Sequence, residues 1–100
     1  MNSNFNDQIE LLKATPGVLA GINRGIERES LRISSNGQLA QTPHPESLGK
    51  ALTHATITTD FAESLLEFIT PVSTSTSVLF DQLQDIHHYT VKNLAQEQLW

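Results

Sequence analysis

Between residues 21 and 33 the chain reads Gly-Ile-Asn-Arg-Gly-Ile-Glu-Arg-Glu-Ser-Leu-Arg-Ile, and its later part alternates with a period of two. Laid out as a β-strand, the stretch puts Glu27, Glu29, Leu31 and Ile33 on one face and Ile26, Arg28, Ser30 and Arg32 on the other. The strand is expected to start at Gly21 and to end near Ile33. There Ser34-Ser35-Asn36-Gly37 carries the Asn-Gly signal of a tight hairpin, with residues 38–42 as a short returning strand. Upstream, Phe5, Ile9 and Leu12 fall at spacings of four and three, the apolar stripe of a short helix capped by Asn6 or Asp7 and finished before Pro16. Such a helix has one face to bury. A further helical turn over residues 16–20 would stop at Gly21.

Downstream, Leu79, Leu83, Ile86, Thr90 and Leu94 repeat at four, three, four and four, which predicts a long helix. The cap-rich run Ser73-Thr74-Ser75-Thr76-Ser77 is suited to start it. Asp81 and Asp85 fall early and Lys92 late, as the helix dipole favours, and the apolar face must cover a sheet. Between the two halves, residues 42–49 read as a loop with one helical turn after Pro45, ended by Gly49, and residues 57–59 as extended chain. Residues 60–71 fit two readings. As a helix, Asp60 caps and Glu63 closes a capping box; as a strand from Ser64, Leu66 and Phe68 face one side and Leu65, Glu67 and Ile69 the other. Periodicity does not choose between them. With no internal repeat and no shift in composition, residues 1–100 are expected to form a single segment.

Composition narrows the functional classes. The chain holds 100 residues, the size of one domain or of one piece of a larger one, and is 38% hydrophobic. Six Lys and Arg stand against 11 Asp and Glu, a net charge of -5, with the basic residues scattered, so a nucleic-acid-binding surface is not expected. The acidic excess suits cations. With no cysteine there is neither disulfide nor thiolate metal site. The N-terminus lacks the basic and apolar blocks of a signal peptide and no apolar run reaches membrane-spanning length, so a soluble cytoplasmic protein without membrane partners is expected.

The candidate chemistry starts with Glu27 and Glu29. Two residues apart on one strand face they lie about 7 Å from each other, and at an effective dielectric of about 20 they repel by roughly 2 kcal/mol. A cation between them would relieve this. Two solvated glutamates screened by Arg24, Arg28 and Arg32 would satisfy the same spacing, although those arginines are not on the glutamates' face and Leu31 and Ile33 imply partial burial there. Asp60, Glu63 and Glu67 can be helix caps and a polar stripe, or oxygen ligands for a hard cation such as magnesium. Asp60 and Glu67 have opposite parity along a strand, so they share a site only if the chain breaks or bulges near Ala62 and Glu63. His87 and His88 diverge by about 100° on a helix, which favours packing and surface roles over a shared metal. Gly21 and Gly25 lack the spacing of a nucleotide loop and are expected to permit close backbone approach.

Three stretches carry a more specific signal: residues 21–32, Ala51-Leu52-Thr53-His54, and Thr58-Thr59-Asp60-Phe61-Ala62-Glu63-Ser64-Leu65-Leu66-Glu67-Phe68-Ile69-Thr70-Pro71. Together they closely resemble the proteobacterial glutamate-cysteine ligases, also called gamma-glutamylcysteine synthetases, from about residue 8 onward. The resemblance implies an α+β fold in which a curved antiparallel sheet is flanked by helices, as in glutamine synthetase. It also implies an ATP-dependent reaction: the γ-carboxylate of L-glutamate is phosphorylated and the amine of L-cysteine then attacks the acyl phosphate, giving γ-glutamylcysteine, the first step of glutathione synthesis. Under that resemblance Glu27, Glu29, Asp60 and Glu67 are magnesium ligands, ATP is a co-substrate, and residues 60–71 are loop followed by strand. No role carries over to Glu63.

Members of that family extend several times further than Trp100. The chain is therefore expected to be the N-terminal part of a larger ligase catalytic domain, with an incomplete fold and no activity by itself. Two other readings remain: a freestanding acidic α+β module that binds a partner through a sheet edge or helix face, and a related carboxylate-amine ligase that uses a different amine.

Overall fold

The computed structural model describes residues 4–49 and 54–100. The motif at 51–54 thus lies outside the described residues except for His54. The order is helix α1 (Phe5–Ala14), a 3-10 turn (Pro16–Leu19), strand β1 (Glu27–Ile33), a second 3-10 turn (Glu46–Leu48), strands β2 (Ile57–Thr58) and β3 (Leu65–Ile69), helix α2 (Thr76–Lys92) and strand β4 (Gln98–Leu99). The sheet is antiparallel in the order β2-β3-β1-β4. The α+β class and the antiparallel sheet are as expected, and no helix among the described residues is long and apolar enough to cross a membrane.

Register decides which face is which. Arg28 pairs with Phe68, Ser30 with Leu66 and Arg32 with Leu99, while Ile57 pairs with Phe68, so these side chains share one face of the sheet. Leu48, Ile57, Leu66, Phe68 and Leu94 form the core there, and Leu83 and Ile86 of α2 pack against it. Each such side chain contributes about 1.5–3 kcal/mol by leaving water. The helix therefore covers the sheet with the predicted stripe, and Ser75 caps it by accepting a hydrogen bond from the Val78 amide. His87 sits edge-on to Phe68 with ring centroids 6.5 Å apart while His88 is exposed, the packing and surface roles expected of them.

Five expectations are corrected. The first helix is capped by Asn4, not by Asn6 or Asp7; Asp7 instead completes the capping box three residues in. Its stripe is not buried, because no described element lies across it, and Phe5 and Leu12 remain exposed. The strand starts at Glu27 rather than Gly21, with one isolated bridge from Arg24 to Ser73 before it. Of the expected return strand only the bridge from Leu39 to Ile33 forms. The turn has three central residues: Gly37 (φ 83°) donates to the Ser34 carbonyl, and Ser34 donates to Gln38. Beyond it, Ala40 bonds to Arg32 on the same edge of β1 that Arg32 offers to Ser64, so the returning chain meets the approach to β3 and stops. The opposite edge of β1 is taken by β4, which periodicity did not suggest. The close backbone approach expected at Gly21 and Gly25 is also absent: a Cβ would meet nothing within 4 Å at Gly21 and only ordinary contacts at Gly25.

Candidate metal centre

The face of the sheet turned away from α2 carries the acids. Glu27 and Glu29 project from β1, and Glu29 stands directly opposite Glu67 of β3. Like charges so placed repel across the strands. Asp60 arrives from the turn between β2 and β3. The hairpin pairs Thr58 with Glu67, so the chain reverses before Asp60 and Glu67 are compared, and the parity conflict of a single straight strand disappears. Asp60 is irregular and residues 61–64 are bend and turn followed by strand, which removes the helix-capping reading of Asp60.

One carboxylate oxygen from each of Glu29, Asp60 and Glu67 lies within 4.8 Å of the other two. Glu27 is not part of that convergence, although it occupies the same face one pair further along. Its charge is nevertheless felt: partial burial, then Glu27, Asp60 and Glu29 in turn, push the Glu67 carboxyl above its ordinary pKa. Among the described residues no salt bridge reaches any of the four. Three oxygen donors held this close, hard and anionic, fit a hard divalent cation with water completing its shell.

The alternative in which nearby arginines screen these acids does not form. Arg24 donates to the Thr74 carbonyl at 2.6 Å, and the charge of Arg28 acts on the helix side, where burial and then Arg28 lower the pKa of His87. Arg32 is wholly buried on the core face. Its Nη1 donates to Thr42 Oγ1 (2.8 Å) and Glu97 Oε2 (2.7 Å), and its Nη2 to the carbonyls of Thr42 (2.8 Å) and Glu63 (3.1 Å). The Thr42 hydroxyl in turn donates to Glu97 Oε1. Burial by itself would raise the pKa of Glu97, but the hydrogen bonds from Thr42 and Arg32 and the arginine charge bring it below its ordinary value. Glu63 thereby acquires two roles that its side chain did not advertise: its carbonyl receives Arg32, and its carboxylate accepts from the His44 amide at 3.1 Å. Sequence reasoning missed Arg32, and no local signal could have found it, because Arg28 has the same parity on the strand and is exposed.

Comparison with known proteins identifies the family. A family model described as Glutamate-cysteine ligase matches residues 9–100. The chain is 62% identical over 89 residues to glutamate-cysteine ligase of Sodalis glossinidius, covering 89% of this chain and 17% of that protein. Over all 100 residues it is 54% identical to the Edwardsiella ictaluri ligase, 19% of whose length is covered. Among solved structures, glutamate-cysteine ligase from Francisella tularensis in complex with AMP superposes with a TM-score of 0.74 at 41% identity, over 77% of this chain and 16% of that one. A bifunctional glutathione synthetase from Pasteurella multocida gives 0.82 at 35% identity, over 93% of this chain and 13% of that one. The chain thus spans less than a fifth of the length of these relatives. On the match over residues 9–100, the chain belongs to the glutamate-cysteine ligase family.

Proposed function

We propose that this chain forms one wall of the active site of an ATP-dependent ligase, as part of a larger catalytic domain. That ligase joins the γ-carboxylate of L-glutamate to the amine of L-cysteine. In this reading the γ-phosphoryl group of ATP passes to the glutamate carboxylate and ADP leaves. The cysteine amine then attacks the acyl carbon, expelling phosphate and losing a proton. Glu29, Asp60 and Glu67 would hold magnesium, with Glu27 alongside them. A bound magnesium ion would offset the charge of the phosphate oxygens and fix their direction. The residues of the chain position: β1 and β3 hold two carboxylates rigidly opposite each other, and the hairpin turn brings the third. The partners are small molecules, with neither nucleic acid nor membrane among them, and the compartment is the cytoplasm.

The observation that carries the reading is the convergence of three carboxylates with no cationic side chain paired to them among the described residues. AMP in the Francisella tularensis ligase supports the nucleotide part. The 100 residues alone are expected to give no turnover, because a single wall cannot orient ATP against glutamate. A coupled assay for ADP release, dependent on both glutamate and cysteine, tests both statements. It should read zero for the isolated chain, and in a ligase containing this segment the substitution Glu67→Gln should reduce magnesium-dependent kcat/KM by at least about a hundredfold. Turnover by the isolated chain, or unchanged activity in the variant, would overturn the respective statement.

A further inference from the structure

We infer that Arg32 is a positioning residue for the acidic cluster: from beneath the sheet it anchors the loop that delivers Asp60. The inference rests on the cation reading of that cluster. Glu29 and Glu67 need no such help, since the β1-β3 ladder sets them opposite each other. Asp60 has no ladder. It lies in the irregular stretch between β2 and β3, is exposed, and is placed by what holds that loop and its two ends.

One end continues from β2. The other is gripped by Arg32 twice, at consecutive carbonyls: its backbone amide donates to Ser64 at 2.7 Å and its Nη2 to Glu63 at 3.1 Å. The grip is rigid because the guanidinium is itself fixed from behind by Thr42 and Glu97 and is closed to solvent. Arg32 also lies three residues from Glu29 on the same strand. The residue that holds the loop is therefore built into the element that carries one of the three carboxylates. A cation bound by three oxygens tolerates little displacement of any of them, and residues that orient ligands from outside the ligand shell typically change metal affinity by about 10–100-fold. Only a planar fork reaches Thr42, Glu97 and Glu63 together, so a lysine, with the charge but not the fork, does not replace it.

The test uses manganese as the probe and three variants of a ligase containing this segment: Arg32→Met, Arg32→Lys, and Leu79→Ala, a core truncation on α2. Manganese affinity is measured by paramagnetic titration and amide exchange by mass spectrometry. Arg32→Met is expected to weaken manganese binding by about tenfold or more and to accelerate exchange locally over residues 59–65. Leu79→Ala, although destabilised, should bind manganese within about twofold of the parent protein. Should Arg32→Met not fold, Arg32→Lys is expected to give the same local signature more weakly. Unchanged affinity and exchange in the Arg32 variants, or an equal loss in Leu79→Ala, would overturn the inference. If the parent protein binds no manganese, the cation reading itself falls, and exchange alone decides: acceleration over 59–65 beyond that of the rest of the sheet upholds the anchor, and uniform acceleration removes it.

Discussion

The two faces of β1 solve opposite electrostatic problems. On the core face a single cation, Arg32, is fully enclosed and meets four acceptor contacts, including an ion pair with Glu97 at 2.7 Å. On the other face three carboxylates crowd within 4.8 Å and no salt bridge among the described residues relieves them. Arg32 and Glu29, one member of each set, lie three residues apart on the same strand. A buried charge without a partner is costly, so the enclosed face has to be neutralised within the chain. The solvent-facing side can leave its charge uncompensated at a smaller cost, and can therefore keep it for something that binds. The contrast distinguishes a charge that maintains the fold from charges available for chemistry.

The largest effect should come from breaking the enclosed face. Arg32→Met leaves Glu97 without its cation and should lower unfolding free energy by about 3–5 kcal/mol, read from urea denaturation. A loss below about 1 kcal/mol would mean that the network is dispensable. Magnesium tests the open face: at a hundred times its dissociation constant it should stabilise the chain by about 2.7 kcal/mol, visible as a rise in thermal midpoint, and Glu29→Gln should remove most of that rise. Glu97→Gln should cost less than the loss of Arg32, about 1–2 kcal/mol, because an amide oxygen can still accept from the guanidinium.

The smallest effect is the most discriminating, because the two faces should respond to pH with opposite sign. Glu67 has a folded pKa above its unfolded one, so in the absence of metal its contribution to stability is present at low pH and is lost as pH rises through the ordinary carboxylate range toward the raised value. Glu97 has a folded pKa below its unfolded one, so its contribution is present above the ordinary value and is lost as pH falls through the depressed one. Thermal midpoints measured across acidic pH should lose the first slope in Glu67→Gln and the second in Glu97→Gln. Slopes of the same sign would remove the contrast.

What was legible in the sequence followed from local periodicity. The stripe Leu79 to Leu94 marked α2 and its buried face, and the alternation at 27–33 placed both glutamates on one surface. Arg32 was illegible because charged residues are seldom fully buried, and because nothing local distinguishes it from Arg28, which has the same parity and is exposed. Only the long-range arrival of Thr42, Glu63 and Glu97 makes the difference. β4 escaped for a similar reason: a two-residue strand has no period to read. The placement of residues 60–71 required either the family resemblance or the hairpin register, since the helix and strand patterns coexist there. Asp60 joined the glutamates through a reversal of the chain that no periodicity of one segment encodes.

The register of Glu29 against Glu67 has a consequence for how this gene can vary in length. A slip of β3 by one residue would separate the two carboxylates, yet it would also swing Leu66 and Phe68 out of the core, so the apolar side chains hold the repelling pair in place. An insertion or deletion within 65–69 would then damage folding and chemistry in one step, and a reading frame carrying it should be recovered rarely under selection for either. The exposed turn of Ser35-Asn36-Gly37 has no such double function. Extra codons there lengthen a loop whose returning chain makes a single bridge, and should be accepted.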